Sequence, residues 1–587
     1  MKKLRIESAV SDNFGWRNLV MFVVVVVVFL LFLARAMYLQ VIGNGAYEEL
    51  AKSNKTRNSI ILAERGVIYG ANNEILVRNK PSFAIELNSS LCGNVCSTII
   101  SKLNDFVALD KELVKNELAS GRPIVVLATN LDKDKALLLE TNLYQLPGVS
   151  VIVYPIRDYL YSDVFAHSVG YVGLDDKSIQ PNIVGKTGVE KAYNEYISGI
   201  SGSRISEVDS TGKKYNAIAQ EDALPGRNLI LYLDKDLSIK AYELLKKVVD
   251  DKKATAGVIV AQDPSTGGIL ALVNYPSFDP NKLSTGISSS EYQKLLDDPN
   301  NPFFNRAISA VYPPGSTFKM IAASAALAEK VVDRYTTIFD PGYIAVSGYR
   351  YNNWKLDGHG EVNMVRALQI SNDTYFYTVG GGYGAIKGVG IDSLHKWARL
   401  LGLGVLTGVD IEGEVSGNMP DGKARAWYLG DTYITSIGQG DVLTTVLQLN
   451  NVTSYFANGG TLYKPRIVKS VVGVKTYQPE VLVQNLTTKK NYDIVREGLK
   501  AAVLPGGTAY PLFDFTQRHA GVELAGKTGT SEYKDKDGKP ATHAWFTVFG
   551  PFDRANIALT VFLEGGGSGS DDAAPIAKEL LDLWFKL

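Results

Sequence analysis

The stretch GVELAGKTGT, Gly521–Thr530, admits two readings, and the fold turns on which one holds. Gly521, Gly526, Lys527 and Thr528 satisfy the phosphate-cradling pattern G-x-x-x-x-G-K-[ST] without a mismatch. Such a loop follows a strand and opens a helix whose first amides face the phosphates. The residues after Thr528, GTSEYKDKDGKPATHAWF, are too rich in Gly, Asp, Lys and Pro to open a helix. The loop would also set Glu523 beside a polyanion. The other reading puts Lys527-Thr528-Gly529-Thr530 on a strand. Lys527 then offers a cation to a carboxylate, and Gly529 lets another backbone approach closely. A second copy, Gly185-Lys186-Thr187-Gly188, has Gln180 where a phosphate loop needs Gly. It reads as a turn and the start of a helix whose Val189, Tyr193 and Ile197 share a face.

Working outward, HAWFTVFGP and NIALTVFLE form a strand pair, and a last helix from about Ala573 puts Ile576, Leu580, Leu581 and Trp584 on one face. Far upstream, Ala256–Gln262 and Gly268–Tyr275 flank the turn Asp263-Pro264-Ser265-Thr266-Gly267, a hairpin. Its strands are apolar almost throughout, so both faces are covered. A strand at 228–234 and a helix at 237–249 precede it. Strands at both ends with a long, mostly helical insert between them give an α+β domain with a mainly antiparallel sheet. The segment from Gly43 to about Ala223 is mixed. RGVIYGANNEILVRN, Arg65–Asn79, reads as two short strands around an Ala-Asn-Asn turn. Helical pattern follows near 111–119 and 133–143, with a strand at 148–155. Few of its residues look catalytic, and a spacer or docking module fits it best.

Leu19–Ala34 is sixteen apolar residues in a row, and Leu19–Ile42 exceeds the roughly 20 residues a membrane-crossing helix needs. Arg35 lies near one end, within reach of headgroups. Lys2, Lys3, Arg5 and Arg17 precede the span while Lys52, Lys55 and Arg57 follow it, a balance that leans toward an inside N-terminus. The alternative is a cleaved leader, since Ala34-Arg35-Ala36 has the A-x-A form. An uncleaved single-pass anchor would leave everything after residue 42 outside the cytoplasm. Cys92 and Cys96, the only cysteines, could bridge there or stay as two thiols. Lys plus Arg and Asp plus Glu are 61 each, so nothing in the balance points to nucleic acid.

In VYPPGSTFKMIAASAAL, Pro313-Pro314-Gly315 stops the chain and a helix-forming run follows. Ser316 falls at the helix start and Lys319 one turn on, on the same face. A lysine amine can take a serine proton if burial and nearby cations lower its pKa. Helix-start amides can receive an oxyanion. An isolated S-x-x-K is equally the pattern of an ordinary serine cap. Two further elements add to it. In RALQISNDTYFYTVG, Ser371 can relay a proton and Asp373 can hold a lysine by a charge-assisted contact. Lys527-Thr528-Gly529 then completes the ordered set S-x-x-K, S-x-[ND], K-[TS]-G of acyl-serine enzymes.

On these motifs the chain resembles the class B penicillin-binding proteins, peptidoglycan D,D-transpeptidases, over nearly its whole length. The likeness extends to Arg65-Gly66-Val67-Ile68-Tyr69 and to GVEKAYNEYISGISG, DPSTGGILALVNYPSFDPN, NRAISAVYPPGSTFK, SIGQGDVLTTVLQL and ANGGTLYKPRIV. Asp373 in the second motif, FDPNKLSTGIS and LGLGVLTGVDIEGEVSG lean toward the elongation-type penicillin-binding protein 2 subgroup. The resemblance implies a cytoplasmic tail at 1–18, an anchor at 19–42, a pedestal of the dimerisation type at 43–227 and a transpeptidase domain at 228–587. That domain would have a five-stranded sheet with helices on both faces. It implies that Ser316 attacks the penultimate D-alanine carbonyl of a stem peptide, with Lys319 as general base. Ser371 and Asp373 would assist proton transfer to the leaving amine. Lys527 and Thr528 would bind the terminal carboxylate, and the amides of Ser316 and Thr530 would form the oxyanion hole. A second stem-peptide amine would resolve the acyl-enzyme, and β-lactams would acylate the same serine. Implied partners are a SEDS-type membrane glycan polymerase and elongation-complex proteins; no cofactor is implied. Some elongation-type members hold zinc near the second motif, where this chain has Asp340, Asn353, His359 and Asn372; two amides make a poor zinc set, so no metal is expected. A catalytically silent or β-lactam-sensing wall-synthesis component, a D,D-carboxypeptidase and a serine β-lactamase are the competing classes. Intact motifs argue against silence, and the long segment before the hairpin against a β-lactamase.

Overall fold

Ala256–Gln262 (β1) and Ile269–Tyr275 (β2) form the expected hairpin, and the computed structural model buries both strands almost completely. It describes residues 13–42, 56–92, 95–122, 124–175, 183–208, 214–535 and 537–586. Lys2, Lys3, Arg5, Lys52, Lys55 and Gln180 lie outside the described residues. Ala525–Lys534 (β3), Pro540–Gly550 (β4) and Ile557–Glu564 (β5) complete a five-stranded, wholly antiparallel sheet in the order β2-β1-β5-β4-β3. The period of two explains the apolar strands. Ile259 and Ala261 join a core with Lys235–Lys252 and Ala574–Trp584, while Val258 and Val260 face Lys319–Ala328 and Val446–Ala457. Helices thus cover both faces. β3 is an edge strand.

A six-stranded sheet runs Lys475–Thr476, Val468–Val471, Leu229–Leu231, Ile68–Tyr69, Ile75–Lys80, Ile156–Tyr159. Its centre places Leu229–Leu231 beside Ile68–Tyr69, in parallel, and beside Val468–Val471. Nearby, Glu190, fully buried, binds Arg157 at 2.7 Å and Arg65 at 2.7 Å. Burial alone would raise the Glu190 carboxyl, but the Arg157 and Arg65 guanidiniums hold it below its ordinary value. The first Gly-Lys-Thr-Gly opens a helix, Gly188–Ala192, that breaks at Tyr193 and resumes at Asn194–Ile197. Val189, Tyr193 and Ile197 are buried as the spacing implies. Cys92 and Cys96 are bridged, their Cα atoms 4.9 Å apart.

A second unit, Met1–Ile61 with Ser201–Ala223, contains a three-stranded antiparallel sheet of Thr56–Ile61, Gly202–Val208 and Lys214–Glu221. It also contains the helix Asn13–Met37, prolonged by a π-helical turn, Tyr38–Ile42. Within it Gly15–Gln40, 26 residues of mean hydropathy 3.0, is long and apolar enough to cross a membrane.

Candidate active site

The Pro-Pro-Gly break at 313–315 does not lead straight into an α-helix. Gly315–Phe318 is a 3-10 turn, and the α-helix (α1) is Lys319–Ala328. This corrects the expected helix start at Ser316 and tightens the geometry, because residues i and i+3 eclipse in a 3-10 turn. Ser316 lies in the 3-10 turn and Lys319, three residues on, opens α1. Gly315 has φ +55°, and a Cβ there would lie 2.6 Å from the Thr530 carbonyl. Only glycine lets the Ser316 turn press against β3 so closely. Gly529 does the same from the strand side, since its Cβ would meet Thr317 at 2.8 Å.

Lys319 is fully buried. Its Nζ donates to Asp373 Oδ1 at 2.6 Å, to the Ser371 carbonyl at 2.8 Å and to Ser371 Oγ at 3.2 Å. Three contacts account for all three N–H bonds of an ammonium. Burial lowers the Lys319 pKa, Asp373 opposes it, and burial wins. Lys527 is also fully buried, its Nζ on the Thr528 carbonyl at 3.0 Å. Burial first, then the Lys319 cation, hold it well below the ordinary lysine value. Ser371 has φ +54°, a strained backbone for a side chain. Asn372 caps the helix Asp373–Gly381 (α2) through the Tyr375 amide.

Ser316, Ser371, Asp373, Thr528, Gly529 and Thr530 all line one cleft of about 980 Å³. The five motif residues and the strand Thr528–Thr530 are thus brought to one place, with Lys319 and Lys527 in its wall. Several lining residues carried no signal in the sequence. Gln439 Nε2 donates to the Thr530 carbonyl at 3.4 Å, and Thr508 Oγ1 pairs with Thr528 Oγ1 at 2.6 Å. Gln439 lies in the quoted SIGQG run, whose paired glycines mark a turn but not its position. Trp354, Tyr377 and Glu532 line the cleft as well.

The positions aligned with a zinc site do cluster. Asp340 Oδ2 accepts from Asn372 Nδ2 at 2.6 Å, Asn353 Nδ2 at 2.7 Å and the His359 amide at 3.0 Å, with His359 Nδ1 at 3.0 Å. Burial would raise the Asp340 carboxyl, but these hydrogen bonds, the Gly342 amide foremost, carry it below its ordinary value. The amide oxygens are already committed. Asn353 Oδ1 accepts from the amides of Asp373 and Trp354, both at 3.0 Å, and Asn372 Oδ1 caps α2. Turning either oxygen toward a cation would orphan buried N–H groups, so the set does not fit zinc. The cluster instead pins Asp373 through its own backbone.

Residues 257–582 match the family model of the penicillin binding protein transpeptidase domain. The chain belongs to the penicillin-binding proteins. Residues 60–231 match the penicillin-binding protein dimerisation domain. Peptidoglycan D,D-transpeptidase MrdA of Haemophilus influenzae is 30% identical over 99% of this chain and 93% of its own length. The Acinetobacter baumannii MrdA is 33% identical over 96% and 86%. Among solved structures, the Helicobacter pylori penicillin-binding protein PBP2 in complex with MreC superposes with a TM-score of 0.77 at 29% identity, covering 90% of this chain and 99% of that one. This penicillin-binding protein is a serine-type peptidoglycan D,D-transpeptidase of cell-wall elongation, and the α+β architecture expected of it is the one observed.

Proposed function

We propose that Ser316 is the acylated nucleophile and Lys319 its general base. The observation that supports this most is the contact set of Lys319, a buried amine one 3-10 turn after the serine and bonded to both Ser371 and Asp373. Lys319 can act as base only when neutral, with two N–H donors and a free lone pair. Burial supplies that form and Asp373 restrains it. Ser316 Oγ adds to the penultimate D-alanine carbonyl as its proton passes to Lys319 Nζ. The oxyanion lies against the amides of Ser316 and Thr530. The C–N bond breaks, and Ser371 carries the proton on to the leaving D-alanine nitrogen. A second stem-peptide amine then adds to the acyl carbonyl, loses its proton to Lys319 and expels Ser316 Oγ, which recovers one. Lys527 and Thr528 receive the terminal carboxylate.

The apolar helix serves as a single-pass anchor with the catalytic domain outside the cytoplasm. The division into tail 1–18, anchor 19–42, pedestal 43–227 and transpeptidase 228–587 follows the family pattern. A SEDS-type glycan polymerase and elongation-complex proteins are the partners, and β-lactams the inhibitors. The Helicobacter complex with MreC supports that reading, as does a similar chain, TM-score 0.71, in a peptidoglycan synthase complex. A fluorescent penicillin tests the assignment. Wild type is expected to be labelled and Ser316→Ala not; label on another residue refutes it. Cross-linked product from lipid-linked precursor is expected from wild type.

A further inference from the structure

β3 alternates, so Thr528, Thr530 and Glu532 point to the same side, and all three line the cleft. Glu532 is exposed, and among the described residues no ion pair involves it. It lies near enough to Tyr377, on α2 across the cleft, to help raise that phenol after burial and Asp373. Asp373, paired with Lys319, and Asp571 line the same cleft. Lys319 and Lys527 are set in its wall beside Thr528, and a free carboxylate stands at 532.

β3 is also an edge strand, with open backbone groups on which an extended peptide can add. If the terminal carboxylate sits at Lys527 and Thr528 and the reacting carbonyl at Thr530, the peptide runs antiparallel to β3. Its upstream end then heads toward Glu532, about 7 Å beyond Thr530. The residue preceding the two D-alanines in a stem peptide is a diamino acid, and its side chain carries an ammonium. We propose that Glu532 binds that side-chain ammonium of the donor strand and makes the enzyme selective for donors that carry it free. This rests on the acyl-serine reading above, which fixes where the carboxylate and carbonyl lie. The donor is then held at both ends by charges of opposite sign, which sets register as well as affinity.

The test compares two soluble donors, Nα-acetyl-Lys-D-Ala-D-Ala with a free ε-ammonium and its Nα,Nε-diacetyl counterpart, in release of D-alanine. Wild type is expected to prefer the free amine by about 5-fold in kcat/KM, the scale of a partly solvated charge pair. Glu532→Gln is expected to bring the ratio close to one and Glu532→Lys to invert it. High salt is expected to compress the wild-type preference without inverting it. A wild-type ratio near one, or a ratio unchanged in Glu532→Gln, overturns the proposal. Loss of penicillin labelling at Ser316 in the wild type would instead refute the underlying assignment, so the two failures are distinct.

Discussion

Replacing Asp373 by Asn probes the balance that sets the base. In the wild type, burial lowers the Lys319 pKa and the Asp373 carboxylate, 2.6 Å away, raises it. At that distance the attraction is about 1.6 kcal/mol even at the dielectric of water. That corresponds to about 1 pH unit, and an opposite charge in contact typically moves a pKa by about 1–3. With the charge gone, burial acts unopposed and Lys319 loses its proton more readily. The acid limb of the acylation rate against pH is therefore expected to move down by about 1–3 pH units. Asn can still offer an oxygen to Lys319 Nζ. Its NH2 must then face the Trp354 amide, which Asp373 Oδ2 accepts at 3.1 Å. That amide keeps Asn353 Oδ1 at 3.0 Å, so only a small change in Tm is expected. The assay is the second-order rate of labelling by a fluorescent penicillin between pH 5 and about 9. An acid limb that stays in place, or moves up, refutes the idea that Lys319 must be neutral and that Asp373 restrains it.

Asn353→Ala removes the acceptor of the Asp373 and Trp354 amides and a donor to Asp340. Labelling is expected to slow by about tenfold, since the Asp373 amide is orphaned at about 1–3 kcal/mol while the Trp354 amide keeps Asp373 Oδ2, with a shifted acid limb showing that Asp373 has moved. Glu190→Gln leaves Arg65 and Arg157 buried without a counter-charge, and urea unfolding near neutral pH is expected to show a loss of about 3–5 kcal/mol. The folded carboxyl is held low, so its stabilisation is complete above the unfolded value of about 4.3 and fades as pH falls through the folded one. The gap to wild type is expected to narrow in acid. Lys527 is held low by burial and by Lys319, and an arriving carboxylate reverses that. Calorimetry of Ser316→Ala with diacetyl-Lys-D-Ala-D-Ala in two buffers of different ionisation heat is expected to show proton uptake, absent in Lys527→Met.

Much of this was legible because it rests on local pattern. The continuously apolar strands at 256–262 and 557–564, the Pro-Pro-Gly stop and the Gly-rich sequence after Thr528 each decide a local structure alone. What stayed hidden depends on distant partners. The 3-10 turn at Ser316 exists because Gly315 is pressed against Thr530, more than two hundred residues away. Glu190 gave no signal beside Val189; its burial needs Arg65, just before Ile68–Tyr69, and Arg157, on Ile156–Tyr159. Ser371's left-handed backbone directly precedes Asn372, which caps α2 and joins the distant Asp340 cluster. Pairing of Cys92 with Cys96 needs their Cα atoms within reach, here 4.9 Å, which spacing alone leaves open.

The central six-stranded sheet has a mechanical corollary. Leu229–Leu231 is flanked on one side by Ile68–Tyr69 and on the other by Val468–Val471, while Arg227 N bonds the Tyr196 carbonyl. A protease nick at Pro225–Arg227 would sever the polypeptide without freeing either fragment, because the ladder bridges the cut. The two pieces would co-purify like a split protein.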